Sequence, residues 1–227
     1  MTSSATPYQL GIDLGTTFTS VARAENGSIE VVSLGQNQSV PPAMIFVEDD
    51  GTFVHGGMAY RRGASKPERL ISDIKRRLGT STPFVIGDQT YRSEELMAAH
   101  LQWAYDESVR GRDEPDAVVI THPACWNDSQ LSAFHRAVDA TTVPNVSYLS
   151  EPLAASVFYN RHAQHADGEL IGVYDLGGGT FDAAVLRKTS SGYEIVGTPA
   201  GESHLGGLDL DRTMQHLVKA KLGSTWS

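Results

Sequence analysis

Residues 11–17 read Gly-Ile-Asp-Leu-Gly-Thr-Thr, and residues 175–182 read Asp-Leu-Gly-Gly-Gly-Thr-Phe-Asp. Each stretch contains an aspartate at the end of an apolar segment and then a turn rich in glycine and threonine, so the chain carries one pattern twice. Residues 10–32 and 171–196 both predict a three-stranded β-meander around that turn. Two copies so far apart are typical of a duplicated fold with two similar lobes, because solenoid repeats span only about 20–50 residues. We expect the two glycine turns to face each other.

The alignment of the two copies matches Thr17-Phe18 with Thr180-Phe181 and therefore places one extra glycine in the second turn. Turns of this composition suit phosphate, because several backbone N–H groups can converge on an anion where no Cβ intervenes, and threonine hydroxyls add donors. A single glycine turn after a strand is usually only a hairpin, but the matched pair favours a phosphate site. The candidate phosphate-binding residues are Gly15, Thr16, Thr17, Phe18, Gly177, Gly178, Gly179 and Thr180.

Three carboxylates accompany the turns, namely Asp13, Asp175 and Asp182. They would repel a bound phosphate unless a divalent cation lay between them. Mg²⁺ prefers a few carboxylates together with water and phosphate oxygens. The pattern therefore predicts ATP or ADP bound with Mg²⁺.

The segment between the two copies alternates strands with helices, which indicates an α/β fold with mixed sheets and flanking helices. Pro123 ends the first of these strands, and Asp128 is the expected N-cap of the helix that follows. The predicted elements are a strand over Asp116–Thr121, a helix over Ser129–Asp139, a strand over Val146–Leu149 and a helix over Leu153–Arg161.

Residues 36–111 break that rhythm and are predicted to form an inserted subdomain. It contains a hairpin over Met44–Val54 and helices over Lys66–Leu78 and Ser93–Val109. The predicted organisation is a first lobe over 1–167, with its core at 8–35 and 112–167, and a partial second lobe over 168–227 that consists of the meander and a helix over Leu208–Leu222.

Composition excludes several classes of protein. The chain has 227 residues and a formal net charge of −9, so we expect no nucleic-acid or membrane-surface binding. The single cysteine, Cys125, excludes an internal disulfide framework and a cysteine-based zinc cluster. With no export signal or long apolar run in the sequence, we expect a cytoplasmic location. The signatures of P-loop enzymes, protein kinases, zinc proteases and serine esterases are missing.

Five motifs together resemble the nucleotide-binding domain of the 70 kDa heat-shock chaperone family, and their order and spacing match from about Tyr8 onward. This resemblance implies an actin-like ATPase (ribonuclease H-like) fold that binds ATP between its lobes, and unfolded clients and cochaperones that engage the full-length protein. The motifs are Gly11–Thr17, Ile74-Lys75-Arg76, Glu151-Pro152-Leu153-Ala154-Ala155, Asp175–Asp182 and His204-Leu205-Gly206-Gly207.

The resemblance implies roles for individual residues. Asp13, Asp175, Asp182 and Glu151 match the family's magnesium- and water-positioning carboxylates, and Asp175 is the candidate base. Lys75 matches the lysine near the terminal phosphate, and Thr16, Thr17 and Thr180 match the threonines that grip phosphates. Two alternatives stay open. The basic run at Lys75, Arg76 and Arg77 could solvate a helix end, and Glu151 could cap the helix after Pro152.

The match weakens at Leu131, where the family commonly has an arginine involved in interdomain signalling, and at His122, which replaces an apolar residue. The family's adenine-clamping segment has no counterpart after Gly223, so we expect weak or undetectable ATP binding. We also expect self-association through an uncovered second lobe. Two other functions stay open: a degenerate, non-catalytic regulatory module, and a sugar kinase or filament protein of the same superfamily. The insertion and the Glu151-Pro152 motif favour the chaperone branch over the latter.

Overall fold

The computed structural model describes residues 7–159 and 165–222. Within these residues it contains thirteen strands and five α-helices. In chain order the strands are β1 (Tyr8–Leu14), β2 (Thr19–Glu25), β3 (Ser28–Val31), β4 (Ile45–Val47), β5 (Phe53–His55), β6 (Leu70–Ile71), β7 (Phe84–Ile86), β8 (Gln89–Tyr91), β9 (Ala117–His122), β10 (Val146–Ser150), β11 (Leu170–Leu176), β12 (Phe181–Thr189) and β13 (Gly192–Glu202). The helices are α1 (Gly56–Gly63), α2 (Ser93–Ser108), α3 (Asp128–Asp139), α4 (Glu151–Tyr159) and α5 (Gly207–Leu222).

The first sheet has five strands in the order β10-β9-β1-β2-β3. Strand β1 pairs antiparallel with β2 and parallel with β9, which itself runs parallel to β10. Every second side chain of β1 from Tyr8 to Leu14 is buried, because strand side chains alternate between the two faces of a sheet. Asp13 therefore lies on the exposed face, at the end of β1 where the first glycine turn begins.

The second sheet has three strands in the order β11-β12-β13 and repeats the β1-β2-β3 meander. The two ladders show that the turns have equal lengths. Leu14 pairs with Thr19 and Leu176 pairs with Phe181, so four residues lie in each turn. The extra glycine of the sequence alignment is therefore wrong. Thr180 occupies the position of Phe18, and Asp182, which pairs with Asp175, occupies the position of Ser20, which pairs with Asp13.

Residues between the halves of the first sheet form the two small sheets β5-β4-β6 and β7-β8 together with α1 and α2. The predicted helix over Lys66–Leu78 is wrong. The chain instead forms two 3-10 turns, Pro67–Arg69 and Ile74–Arg77, with β6 between them. Asp73 adopts a left-handed backbone conformation, with φ of 60°, which interrupts a right-handed helix. Pairing of β6 with β4 overrides the local helical preference.

Other predicted elements agree with the structure more closely. The hairpin around residues 49–51 forms from β4 and β5, and α2 and α3 occupy nearly their predicted ranges. The predicted N-cap at Asp128 is wrong by one residue: Asn127 caps α3, accepting from the Gln130 amide at 3.0 Å. The predicted end of the helix at Arg161 lies outside the described residues. Among the described residues, no helix combines the length and hydrophobicity needed to cross a bilayer.

The buried core lies beneath the first sheet and α2 and α3. Fully buried side chains of β1, β9 and α3 such as Ile12, Ile120 and Phe134 contribute to it, and Leu131 packs at its edge. Leu131, at the position of the family's arginine, is thus a packing residue. In contrast, α5 has no buried residue, and its side chains at Leu210, Met214 and Leu217 are about half exposed.

Candidate nucleotide site

The two glycine turns face each other across a cleft of about 440 Å³. They approach so closely that a Cβ at Gly178 would overlap the side chain of Thr17, and one at Gly179 would overlap Thr16. Glycine is therefore required at both positions by the contact between the turns. The cleft is lined by Asp13, Gly15, Thr16, Thr17, Phe18, Lys75, Thr121, Glu151, Ala154, Ala155, Asp175, Gly177, Gly178 and Thr180.

Two of the residues predicted for the site, Gly179 and Asp182, do not line this cleft. Gly179 packs against Thr16 in the contact between the turns. Asp182 lies behind the cleft and is only 4% exposed. The other predicted residues line the cleft from four separate parts of the chain, namely residues 13–18, Lys75, Glu151 and residues 175–180.

Thr121 is a cleft residue that sequence reasoning missed. Its hydroxyl donates a hydrogen bond of 3.0 Å to the Asp13 carboxylate, which it orients. The sequence places Thr121 at the end of a predicted strand but does not show which strand pairs with it. β1 and β9 are parallel neighbours, so the polar residues at their carboxyl ends meet at the same edge of the sheet.

Lys75 and Glu151 form a buried ion pair on the floor of the cleft, with Nζ 2.6 Å from Oε1. Burial by itself lowers the pKa of Lys75, but Glu151 and Asp13 outweigh it, so the pKa of this lysine is raised and the ammonium stays charged. Burial also raises the pKa of Glu151, and the neighbouring Lys75 offsets only part of that effect. The Lys75 ammonium also lies over the ring of Trp126, 5.8 Å from its centroid.

Helix α4 begins at Glu151 itself, so this residue lies in the first helical turn and does not cap a helix that starts after Pro152. An acidic side chain in the first turn interacts favourably with the helix dipole. The helix end thus helps to hold the carboxylate at the cleft.

Asp175 and Asp182 lie opposite each other on β11 and β12. Burial, followed by the charges of Asp182 and Asp13, raises the pKa of Asp175. Both carboxylate oxygens of Asp182 are buried without a hydrogen-bond partner among the described residues. Burial, followed by the adjacent Asp182 carboxylate, raises the pKa of the Cys125 thiol to about 12.

This donor set fits Mg²⁺, since carboxylate oxygens are its preferred protein ligands and the orphaned oxygens of Asp182 lack another partner. Within the described part of the chain, no three acidic, histidine or cysteine side chains converge closely enough to ligate one ion together. The arrangement therefore suits an ion that keeps several waters and phosphate oxygens, as Mg²⁺ does.

The second turn is held from behind through all three of its glycine carbonyls. The amide of Gly207 donates to the Gly177 carbonyl at 3.0 Å, and the amide of Leu208 donates to the Gly178 carbonyl at 2.9 Å. The third carbonyl, that of Gly179, accepts from Nε of Arg76 at 2.8 Å. The His204–Gly207 motif thus anchors the turn to the start of α5.

Arg76 is the second residue that sequence reasoning missed. Its side chain is only 4% exposed, and its guanidinium also makes two hydrogen bonds to Asp209. The alternative in which the basic run solvates a helix end is wrong for Lys75 and Arg76, which are buried. It describes only Arg77, which is exposed and lies over the ring of Phe84.

Comparison with known proteins places this cleft in a family. A family model described as Hsp70 protein matches residues 9–91 and 83–225. The chain belongs to the Hsp70 family. The match confirms the expected actin-like ATPase fold and the interpretation as an Hsp70-like nucleotide-binding domain. It does not favour the alternative of a sugar kinase or filament protein, nor that of a non-catalytic module.

Curated Hsp70 relatives agree with the family match. Proteins named Chaperone protein DnaK from Thermotoga petrophila and Thermotoga maritima are each 34% identical to the chain over 209 residues, and the one from Thermotoga neapolitana is 33% identical. The aligned region covers 91% of this chain and 35% of each relative. The chain thus spans about a third of the length of the Hsp70 relatives it matches.

Proposed function

We propose that the chain binds ATP with Mg²⁺ in the cleft and supplies the groups that position the triphosphate for hydrolysis. The observation that carries this proposal is the contact between the two glycine turns, which brings Thr16 and Thr17 against Gly178 and Gly179. Two anion-binding turns around one cleft can hold adjacent phosphates of one ligand. A single turn in isolation would not argue for a triphosphate.

The proposed division of labour follows the positions of the side chains. The backbone and hydroxyl groups of Thr16, Thr17 and Thr180, the glycine amides and the amide of Phe18 bind phosphate oxygens. Asp13, Asp175 and Asp182 would hold Mg²⁺ directly or through water, and the metal would neutralise phosphate charge. The raised pKa of Asp175 suits a group that orients or accepts a proton from the attacking water.

Lys75 is proposed to contact the terminal phosphate, with Glu151 holding its ammonium in place at 2.6 Å. Phosphoryl transfer needs little covalent chemistry from the protein, so positioning and charge neutralisation supply most of the catalysis. The ion pair on the cleft floor meets that requirement, because the hydrogen bond to Glu151 fixes the position of the Lys75 ammonium.

The named relatives are chaperones, and we propose that the whole protein to which this domain belongs uses ATP hydrolysis to control its hold on unfolded clients, with cochaperones as partners. The alternative of a non-catalytic regulatory module predicts a bound nucleotide that is not hydrolysed. Hydrolysis by the whole protein therefore separates the two functions.

The test combines binding and turnover. Calorimetric titration with Mg²⁺–ATP measures the affinity of the chain, and release of inorganic phosphate by the whole protein measures hydrolysis. Asp175→Asn should retain binding and lose most of the turnover, whereas Asp211→Asn, which changes an exposed side chain on α5, should behave as wild type. Binding without turnover in the wild type would favour the regulatory module, and a wild type that does not bind Mg²⁺–ATP would refute the proposal.

We also propose that copies of the chain associate through the second sheet and α5. Tyr174 is 78% exposed and Leu176 is 58% exposed on β11, and the apolar side chains of α5 are similarly uncovered. Exposed apolar surface of this kind favours association. Light scattering across a range of concentrations tests it, and a strict monomer at high concentration would exclude self-association.

A further inference from the structure

The orientation of the peptide groups in the second glycine turn shows where its backbone N–H donors point. Each peptide is planar and trans, so its C=O and N–H point in opposite directions. The carbonyls of Gly177, Gly178 and Gly179 all point to the back of the turn, where they accept hydrogen bonds. The three N–H groups of the same peptides, those of Gly178, Gly179 and Thr180, therefore point the other way.

None of these three amides donates a hydrogen bond to another described residue. A row of free amides beside Thr16 and Thr17 is the arrangement that an anion needs. Two of the three are oriented by the backbone at the start of α5. The third, that of Thr180, depends on a side chain, because the Gly179 carbonyl is held by Arg76.

We propose that Arg76 is a positioning residue of the phosphate site. By donating its Nε–H to the carbonyl of Gly179, Arg76 turns the amide of Thr180 toward the phosphate. Its two hydrogen bonds to Asp209 join the same guanidinium to the start of α5, which holds the other two carbonyls. One buried arginine thereby holds the third carbonyl of the turn and ties it to the segment that holds the other two. The inference rests on the proposed function.

The same 3-10 turn positions both Arg76 and its neighbour Lys75. Lys75 and Arg76 are consecutive residues of one 3-10 turn. The side chain of Lys75 reaches into the cleft, whereas that of Arg76 lies behind the second glycine turn. The left-handed residue Asp73 that ends the preceding extended segment allows this, because it starts the tight turn. Asp73 in turn accepts a hydrogen bond of 2.9 Å from Arg212 of α5, adding a second contact between the same two segments.

Residue-specific NMR of the 227-residue chain tests the proposal. In the wild type, millimolar Mg²⁺–ATP should shift the amide resonances of Gly178, Gly179 and Thr180. In Arg76→Ala, the shift of Thr180 should be lost while those of Gly178 and Gly179 remain, and the affinity should fall about tenfold, as expected for one charge-assisted hydrogen bond. The matched control is Arg77→Ala, which removes the same charge one residue away and should change neither quantity.

Two further variants keep the test decisive. Arg76→Lys retains a positive charge beside Asp209 but places a methylene where Nε stands, so it should reproduce the selective loss at Thr180 even if Arg76→Ala fails to fold. Asp209→Asn leaves the bond to Gly179 and should keep the Thr180 shift. A wild-type shift of Thr180 in Arg76→Lys would overturn the role of Arg76 while leaving the proposed function intact. Loss of all three shifts in a folded Arg76→Lys would overturn that role as well. A wild type that responds at none of these amides would instead overturn the proposed function.

Discussion

The ammonium of Lys75 lies 2.6 Å from the carboxylate of Glu151, and the two side chains are only 6% and 14% exposed. They are 76 positions apart in the chain, one in a 3-10 turn and the other at the start of α4. A buried charge depends on its partner, because removing one member leaves the other desolvated and unpaired. This relationship links stability of the domain to the proposed chemistry.

Replacing Lys75 should therefore destabilise the fold as well as the site. Lys75→Met leaves Glu151, Asp13 and Asp182 without their buried cation, and we expect the free energy of unfolding to fall by about 3 kcal/mol. The double variant Lys75→Met/Glu151→Gln should recover part of that loss. Urea denaturation of the two single variants and the double variant measures the coupling, and strictly additive effects would show that the pair does not interact.

A second prediction concerns His55 and His100, whose Nδ1 atoms are 3.2 Å apart in the interior of the insertion. His100 also bonds to the hydroxyl of Thr19 at 2.9 Å, and His55 stacks on Trp103. Burial lowers the pKa of His55 to about 4, and burial together with His55 lowers the pKa of His100 to about 3. The folded chain thus binds these two protons less readily than the unfolded chain does.

Stability should consequently be fully present above pH 6.5 and decrease as the pH falls toward 4, because the unfolded state gains protons first. Each histidine contributes about 1.4 kcal/mol per pH unit in that range, so the pair lowers the free energy of unfolding by about 4 kcal/mol between pH 6.5 and 5. Urea denaturation at several pH values measures the slope. His100→Gln, which keeps a partner for Thr19, should flatten it, whereas His216→Gln on the exposed face of α5 should not. An unchanged slope in His100→Gln would contradict the assignment.

The contact between Gly206 and the second turn gives a third prediction. A Cβ at Gly206 would lie 2.6 Å from the Gly179 nitrogen and 2.7 Å from the Gly178 carbonyl, so the backbone itself would have to move. We expect Gly206→Ala to lower the free energy of unfolding by about 2 kcal/mol and to abolish binding of Mg²⁺–ATP. Gly172→Ala, in β11 of the second sheet, is the matched control, because a Cβ there would make only an ordinary contact of 3.6 Å, to Tyr174. Thermal unfolding with and without nucleotide measures both effects, and equal behaviour of the two variants would contradict the tight fit.

Asp182 gives a fourth prediction, because its buried carboxylate oxygens have no hydrogen-bond partner among the described residues. In chelator, Asp182→Asn should raise the free energy of unfolding by about 1 kcal/mol, since a neutral amide removes a buried carboxylate without hydrogen bonds and its repulsion of Asp175. The same variant should lose the stabilisation that Mg²⁺–ATP confers on the wild type. Asp211→Asn, on the exposed surface of α5, serves as control. Full stabilisation of Asp182→Asn by Mg²⁺–ATP would exclude this carboxylate from the metal site.

Much of this protein was determined locally, by patterns that need only neighbouring residues. The strand-and-turn pattern of residues 10–32, the serine and glutamates at the start of α2, the helical spacing of α3 and the two glycine turns predicted these strands, these helices and the family. Local patterns carry such elements because side-chain alternation and helical spacing act within a few residues. The candidate cleft residues followed from the family motifs, since those motifs are themselves short.

Only the tertiary structure decided what depends on distant partners. Arg76 and Asp209 are 133 positions apart, and Thr121 and Asp13 are 108 apart, so neither contact has a signature in either segment alone. The segment over Lys66–Leu78 also depends on distant partners. It does not form the predicted helix, because β6 pairs with β4 and because Lys75 and Arg76 are buried against other segments. Local preferences amount to a few tenths of a kcal/mol per residue, and a buried ion pair or a sheet contact outweighs them.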